Sequence, residues 1–309
     1  MSNTSRAYLQ IHFCVLLWGF TAIFGKLITL DALALVWWRM LIVVVALLLM
    51  PRVWRQLRDM SWRLIGAYAA IGLLVAMHWL LFYAAIKLAN ASVGAICIAV
   101  APVFLALIEP RIVGQRFNPR ELLLGIGVIP GVALIVGGIP SGMYLGLIAG
   151  LVSAVFVAAF SACNKRMVER AGPLAVTCIE LGAGTLFLTL LAPVVPHTGA
   201  ALPLPGWHDA WLLLLMSLGC TLLPFALVLK ALRQVSAFGT QIATNLEPVY
   251  AVILAILLLG EQREVGPLFY AGVVVVVGSV VLHPLISRRR PRKLQKELLG
   301  TAEAHNVAE

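Results

Sequence analysis

The chain has 309 residues, 61% of them apolar and only 12% charged, and its mean hydropathy is +0.99. No water-soluble fold of that length buries so much apolar surface, which leaves an all-α polytopic membrane protein. The net charge of +10 then belongs to loops beside a lipid bilayer and excludes nucleic acid as a partner.

Taken in chain order, the first apolar run starts near Leu9, behind Arg6, and continues to about residue 29. It has no small-x-small cleavage site, so it reads as a retained first span. Nine further stretches near the 20 residues that a span needs follow at 32–50, 62–86, 91–109, 121–139, 144–164, 174–192, 208–230, 236–259 and 266–286. Their separators carry the breakers Pro51, Asn118-Pro119, Pro140, Gly172-Pro173 and the prolines of 202–206. With the amino terminus in the cytoplasm, 19 of the 23 basic residues fall on that side. Only Lys26, Lys87 and Arg263 fall outside, and Arg39 lies within span two. That asymmetry predicts ten transmembrane helices in the cell (inner) membrane with both termini cytoplasmic. The five cysteines lie singly in apolar segments and read as packing residues, not as disulfides or metal ligands.

A shift of 146 positions lays 85–104, AIKLANASVGAICIAVAPVF, on 231–250, ALRQVSAFGTQIATNLEPVY. Pro102 meets Pro248, Lys87 meets Arg233, and Gly114 meets Gly260. The chain therefore reads as a duplication, 1–142 and 143–287, followed by a basic tail at 288–309. Five spans per copy is an odd number, so the second copy enters the membrane from the opposite face. Two inverted five-helix repeats are expected.

The segments WGFTAIFGK (18–26), FYAAIKLANAS (82–92), ALRQVSA (231–237) and NLEPVYAVILAILLLGEQ (245–262) resemble the EamA type of the drug/metabolite transporter superfamily. The resemblance extends over about 9–286. It implies ten helices in two inverted repeats, export or exchange of small metabolites, and a central cavity lined by spans three, four, eight and nine. The two copies differ at one place, where Ala101-Pro102 faces Glu247-Pro248, so the acidic position occurs once.

Candidate site residues follow from side-chain chemistry at membrane depth. A proline inside a helix frees the carbonyl four residues back, here at Ile98 and Thr244, so Pro102 and Pro248 are expected to kink their spans and act as hinges. Static kinks would look the same. Span nine carries a polar face of Thr240, Gln241, Thr244, Asn245 and Glu247, which should point inward toward a solute or bond to a neighbouring helix. Span three puts His78, Trp79, Phe82 and Tyr83 on one face, an aromatic wall that Tyr250 and Phe225 would oppose, with Trp18 a further candidate. The alternative is part of the aromatic belt at the outer membrane surface, a reading that fits Tyr83 better than the deeper His78. Arg39, about 12 Å deep, either contacts an anionic group or carboxylate or snorkels to the outer face. Glu109 and Glu180 are expected in structural ion pairs. The glycine pairs Gly127/Gly131 and Gly146/Gly150 should mark close helix contacts within the chain.

No GxSxG, HExxH, Walker A or GxGxxG motif occurs, so an enzyme is not expected, and neither is a cofactor or metal. The function expected is a secondary transporter that exports or exchanges small metabolites, amino acids or related amphipathic solutes among them. Its partners would be the solute, the lipid bilayer and protons as a coupling ion, with monomer and homodimer both open. A channel or lipid flippase of the same topology, and more remotely a membrane-embedded enzyme or scaffold, are the alternatives.

Overall fold

The computed structural model describes residues 3–114, 126–167, 170–195, 199–224 and 246–287, together with 117, 119, 122 and 227. Among these residues every regular element is helical. The helices are α1 (Asn3–Leu27), α2 (Ala32–Leu48), α3 (Pro51–Arg58), α4 (Trp62–Leu88), α5 (Ala91–Ile98), α6 (Ala101–Val113), α7 (Ile129–Gly138), α8 (Tyr144–Met167), α9 (Pro173–Leu191), α10 (Trp207–Leu214), α11 (Glu247–Leu254) and α12 (Pro267–Ser287). α10 widens into π-helical turns over Leu215–Leu222, and α11 does so over Ala255–Leu259. The basic tail expected at 288–309 lies outside the described residues.

Five helical stretches are long and apolar enough to cross a bilayer: Leu9–Leu27, Trp62–Leu88, Ala91–Val113, Ser141–Met167 and Pro173–Leu191. α2 and α3, bent by 88° across Pro51, form a sixth candidate, and α7, Glu247–Leu259 and Pro267–Ser279 are shorter apolar helices. The chain is a multi-pass membrane protein. Its outward faces agree, since among the described residues Leu190 is 70% and Val274 71% exposed. Such a surface is stable only against hydrocarbon.

Local signals place the helix starts. Asp31 accepts from Ala34 N at 2.8 Å, Ser61 from Leu64 N at 3.3 Å and Asn90 from Val93 N at 2.9 Å. Pro51, Pro102, Pro173 and Pro248 all sit in first turns, where the missing N–H is no loss. Pro51 breaks the chain after α2 as expected, and the separator it opens holds the short helix α3.

Pro102 does more than kink a span. The helix ends at Ile98, Ala99 N and Val100 N reach back only three residues (3.1 and 3.2 Å), and a new helix begins at Ala101. Val100 sits at φ −81°, ψ −15°, and Leu246, ahead of Pro248, sits at φ −85°, ψ −6°. Gly114 and Gly260 close the two segments in the left-handed region, at φ 76° and 69°. Within the described residues, the two copies thus share their backbone at the residue two before each proline and at the closing glycine.

Close approach rests on small residues. Gly146 and Gly150 lie against Ala89 and Cys97, and Gly131 against Gly272 and Val276, so these glycines serve contacts within the chain as expected. One apolar core joins α1, α2, α4 and α9 to the α10 region; a second joins α5, α6, α7, α8 and α12. α1 packs on α11 as α8 packs on α5 and α6.

Candidate substrate site

Arg39 stands in α2 within the apolar run LVWWRML, and it is only 5% exposed. It does not snorkel. Its Nε and Nη2 donate to Thr221 Oγ1 at 3.2 and 2.9 Å, and its Nη1 donates to the Tyr83 hydroxyl. The guanidinium carbon lies 3.9 Å above the centre of the Trp79 ring, a cation–π contact. Its immediate partners are therefore hydroxyls and rings, not a carboxylate.

The π-helical turns of the α10 region explain why Thr221 meets Arg39. The wide turns let Thr221 Oγ1 donate to Met216 O, five residues back, at 3.2 Å, and set Ser217 Oγ 3.3 Å from Arg39 O. A guanidinium has five N–H groups. Three of them find acceptors among the described residues, which leaves two for another acceptor.

Glu247 opens α11 immediately after the break at Leu246, half-buried in a slot lined by Trp18, Thr21, Phe82, Ala95 and Ile98. No described residue makes a hydrogen bond to its carboxyl group. The slot holds about 10 Å³ of free space, room for no more than a water. Phe82, which lines the slot, packs edge-on against Tyr83, whose hydroxyl accepts from Arg39. One cation and one carboxylate thus flank the same group of rings.

The side chains expected to form a wall on α4 divide their roles. His78, Phe82 and Tyr83 make a continuous strip, with ring centres 6.2 Å apart for His78–Phe82 and 5.1 Å for Phe82–Tyr83. The His78 end is tied into α8. Ser153 Oγ donates to His78 O at 2.7 Å, so His78 Nδ1 is the protonated nitrogen and donates back to Ser153 Oγ at 2.8 Å. Trp79 and Tyr83 face Arg39. Tyr250 packs on α1 beside Gly19, with its hydroxyl 3.3 Å from His12 Nδ1, on the edge of a cleft of about 520 Å³. Thr240, Gln241, Thr244, Asn245 and Phe225 lie outside the described residues.

Two carboxylates separate. Glu109 pairs with Lys165 as expected. Glu180 corrects the expectation of an ion pair: it is buried and takes a hydrogen bond from Asn164 Nδ2 at 3.5 Å.

Sequence reasoning missed how firmly one end of the bundle is tied. Glu261, fully buried, accepts from Ala91 N and Ser92 N at 2.8 Å each, while Asn90 caps Val93 N and donates to Glu264 at 3.1 Å. The first three N–H groups of α5 are thereby satisfied from outside the helix. Nearby, Thr29 donates through its N–H and hydroxyl to Asp209 at 2.9 and 2.6 Å, and Lys87 donates to Ile28 O. Gly260-Glu261 was legible as a motif, but its partner lies 169 and 170 residues earlier in the chain.

Apolar outer faces around a buried guanidinium and aromatic rings define an integral membrane protein. The sequence profile of the EamA-like transporter family matches this chain twice, over residues 5–137 and 144–285, and the chain belongs to that family. It is a membrane transporter. It is 26% identical over 204 residues to a probable terminal-alkyne amino-acid exporter of Streptantibioticus cattleyicolor, a match that spans 64% of this chain and 65% of that one. It is 23% identical over 269 residues to an uncharacterized transporter of Clostridium kluyveri, covering 81% of this chain and 83% of the relative. A solved crystal structure superposes with a TM-score of 0.60 at 15% identity, over 92% of this chain and 99% of that one, a likeness of fold alone.

Proposed function

We propose that the protein is a secondary carrier that exports small zwitterionic or cationic metabolites, of which amino acids are the leading class, by alternating access. The reading is carried by Arg39 and Glu247 flanking one aromatic strip. A solute carboxylate suits the two N–H groups of Arg39 that find no acceptor among the described residues, its ammonium suits Glu247, and its side chain suits the rings of Trp79, Phe82 and Tyr83. His78 anchors α4 on α8 and keeps the strip in place. A relative described as an amino-acid exporter supports the same class.

In this reading ten spans form two inverted five-helix repeats, both termini face the cytoplasm, and the membrane is the cell's inner one. Two family matches, the paired backbone conformations around Pro102 and Pro248, and the exchanged packing of α1 on α11 and α8 on α5 all support it. The end held by Glu261 and Asp209 is the outer one, closed in this conformation. The breaks before Pro102 and Pro248 act as hinges, and Glu247 passes between proton and solute. Ala95 and Ile98 of α5, just before the Pro102 break, and Glu247 and Pro248 at the start of α11 line the slot, so a swing of either helix opens it.

Glu247→Gln keeps the shape of the side chain but cannot exchange a proton. In proteoliposomes loaded with an amino-acid panel, this variant is expected to retain solute counterflow and lose pH-driven uphill export. Intact uphill export with an unchanged pH profile would remove Glu247 from coupling.

A further inference from the structure

α3 leaves α2 at 88°, so a membrane-crossing α2 lays α3 along the bilayer surface. Its eight residues, PRVWRQLR, divide into two faces. Val53 is fully buried and Gln56 packs against Gly172 at the start of α9, whereas Arg52, Trp54, Arg55 and Arg58 are exposed. Among the described residues, neither these arginines nor Arg63 has a carboxylate within ion-pair distance.

Behind Arg58 a cleft of about 690 Å³ opens between α2, α3, α4 and α9. Its floor is apolar, made by Val44, Leu48, Ile65, Ala69 and Ile179, and a Cβ added at Gly182 would meet nothing within 4 Å. Trp54 and Trp62 stand at the mouth, 48% and 86% exposed, and Trp54 Nε1 donates to Leu48 O at 2.6 Å. Tryptophan and arginine together mark the headgroup level of a bilayer.

We propose that this cleft binds one anionic phospholipid, with its phosphate on the Arg58 guanidinium and an acyl chain against Gly182. An unpaired guanidinium above an apolar slot matches that molecule at both ends. A free phosphate would gain nothing from the floor. A second copy of the chain would bring this net-positive patch (Arg52, Arg55, Arg58 and Arg63 against the one carboxylate of Asp59) onto its own like, which repels.

The test uses the full-length protein, equilibrated with equal amounts of phosphatidylglycerol and phosphatidylcholine of the same acyl chains and read by native mass spectrometry. The wild type is expected to retain phosphatidylglycerol about fivefold over phosphatidylcholine, from about 1 kcal/mol per basic residue at an anionic surface. Arg58→Gln should bring that ratio close to one while phosphatidylcholine retention holds. Gly182→Leu projects into open space and improves helix propensity, so it should fold normally and lose both lipids. Equal retention of the two lipids by the wild type would overturn the proposal. So would unchanged phosphatidylglycerol retention in Gly182→Leu, or a lipid-free dimer.

Discussion

Glu261→Gln removes one of two main-chain bonds at the start of α5 without changing side-chain volume. The native carboxylate accepts from Ala91 N and Ser92 N at 2.8 Å, and Glu261, Ala91 and Ser92 are all fully buried. Water therefore cannot replace a lost acceptor. Gln offers one oxygen, and its NH2 group faces the second N–H donor to donor. A buried donor left unsatisfied costs about 1–3 kcal/mol, and bonds to a charged partner contribute about 1.5–3 kcal/mol each. The expected loss is about 2 kcal/mol for Gln and about 4 kcal/mol for Glu261→Ala, which orphans both donors. Amide exchange followed by mass spectrometry over 89–98 reads this directly, because 2 kcal/mol is about a thirtyfold loss of protection if the segment opens locally. Glu264→Gln is the control. Glu264 is exposed and accepts from the Asn90 side chain, not from the Ala91 or Ser92 N–H, so exchange at Ala91 and Ser92 should stay near wild type. If opening that end during transport breaks the same bonds, Glu261→Gln also shifts the closed–open balance by the same factor toward open. Exchange over 89–98 unchanged within threefold in Glu261→Gln would refute the assignment of Glu261 as the cap that holds this end.

Ser153→Ala leaves the buried His78 Nδ1–H with a single, longer contact, to Ser153 O at 3.2 Å, and should cost about 1–3 kcal/mol in unfolding from mixed micelles; wild-type stability would exclude the bond as an anchor. Gly260→Ala forces a side chain into φ 69°, which costs about 1–2 kcal/mol, and the same change at Gly182, in open helical space, should be neutral or stabilising on the same thermal melt. Pro248→Ala restores a backbone N–H at the break ahead of α11, and transport should slow with normal membrane insertion, measured as counterflow per molecule inserted; wild-type turnover in both Pro102→Ala and Pro248→Ala would show these breaks to be packing features.

Much of the architecture could be read without coordinates because it depends on local or repetitive signals. Apolar runs are set by the cost of an unpaired backbone in hydrocarbon, and that cost is paid residue by residue. The helix starts at Asp31, Ser61 and Asn90 and the end at Gly260 are likewise local, since each side chain or glycine satisfies its own turn. The match of Pro102 to Pro248 is a comparison of the chain with itself. The direction of Arg39 was not legible, because snorkelling and burial differ only in whether Thr221, 182 residues away, offers an oxygen. That oxygen is in reach only through the π-helical turns of Leu215–Leu222, for which the residues carry no pattern.

By itself the sequence determined that the protein lives in a bilayer, where several of its helices begin, and that a single acidic position, Glu247, interrupts the pairing of the two copies. Tertiary structure alone decided which side chains meet. It brought Glu261 to the start of α5, tied His78 to Ser153 and turned Arg39 inward onto Trp79 and Tyr83. The physical reason is separation along the chain. A cap or a kink depends on neighbours within one helical turn, whereas a buried charge is stable only with partners that folding brings from far away.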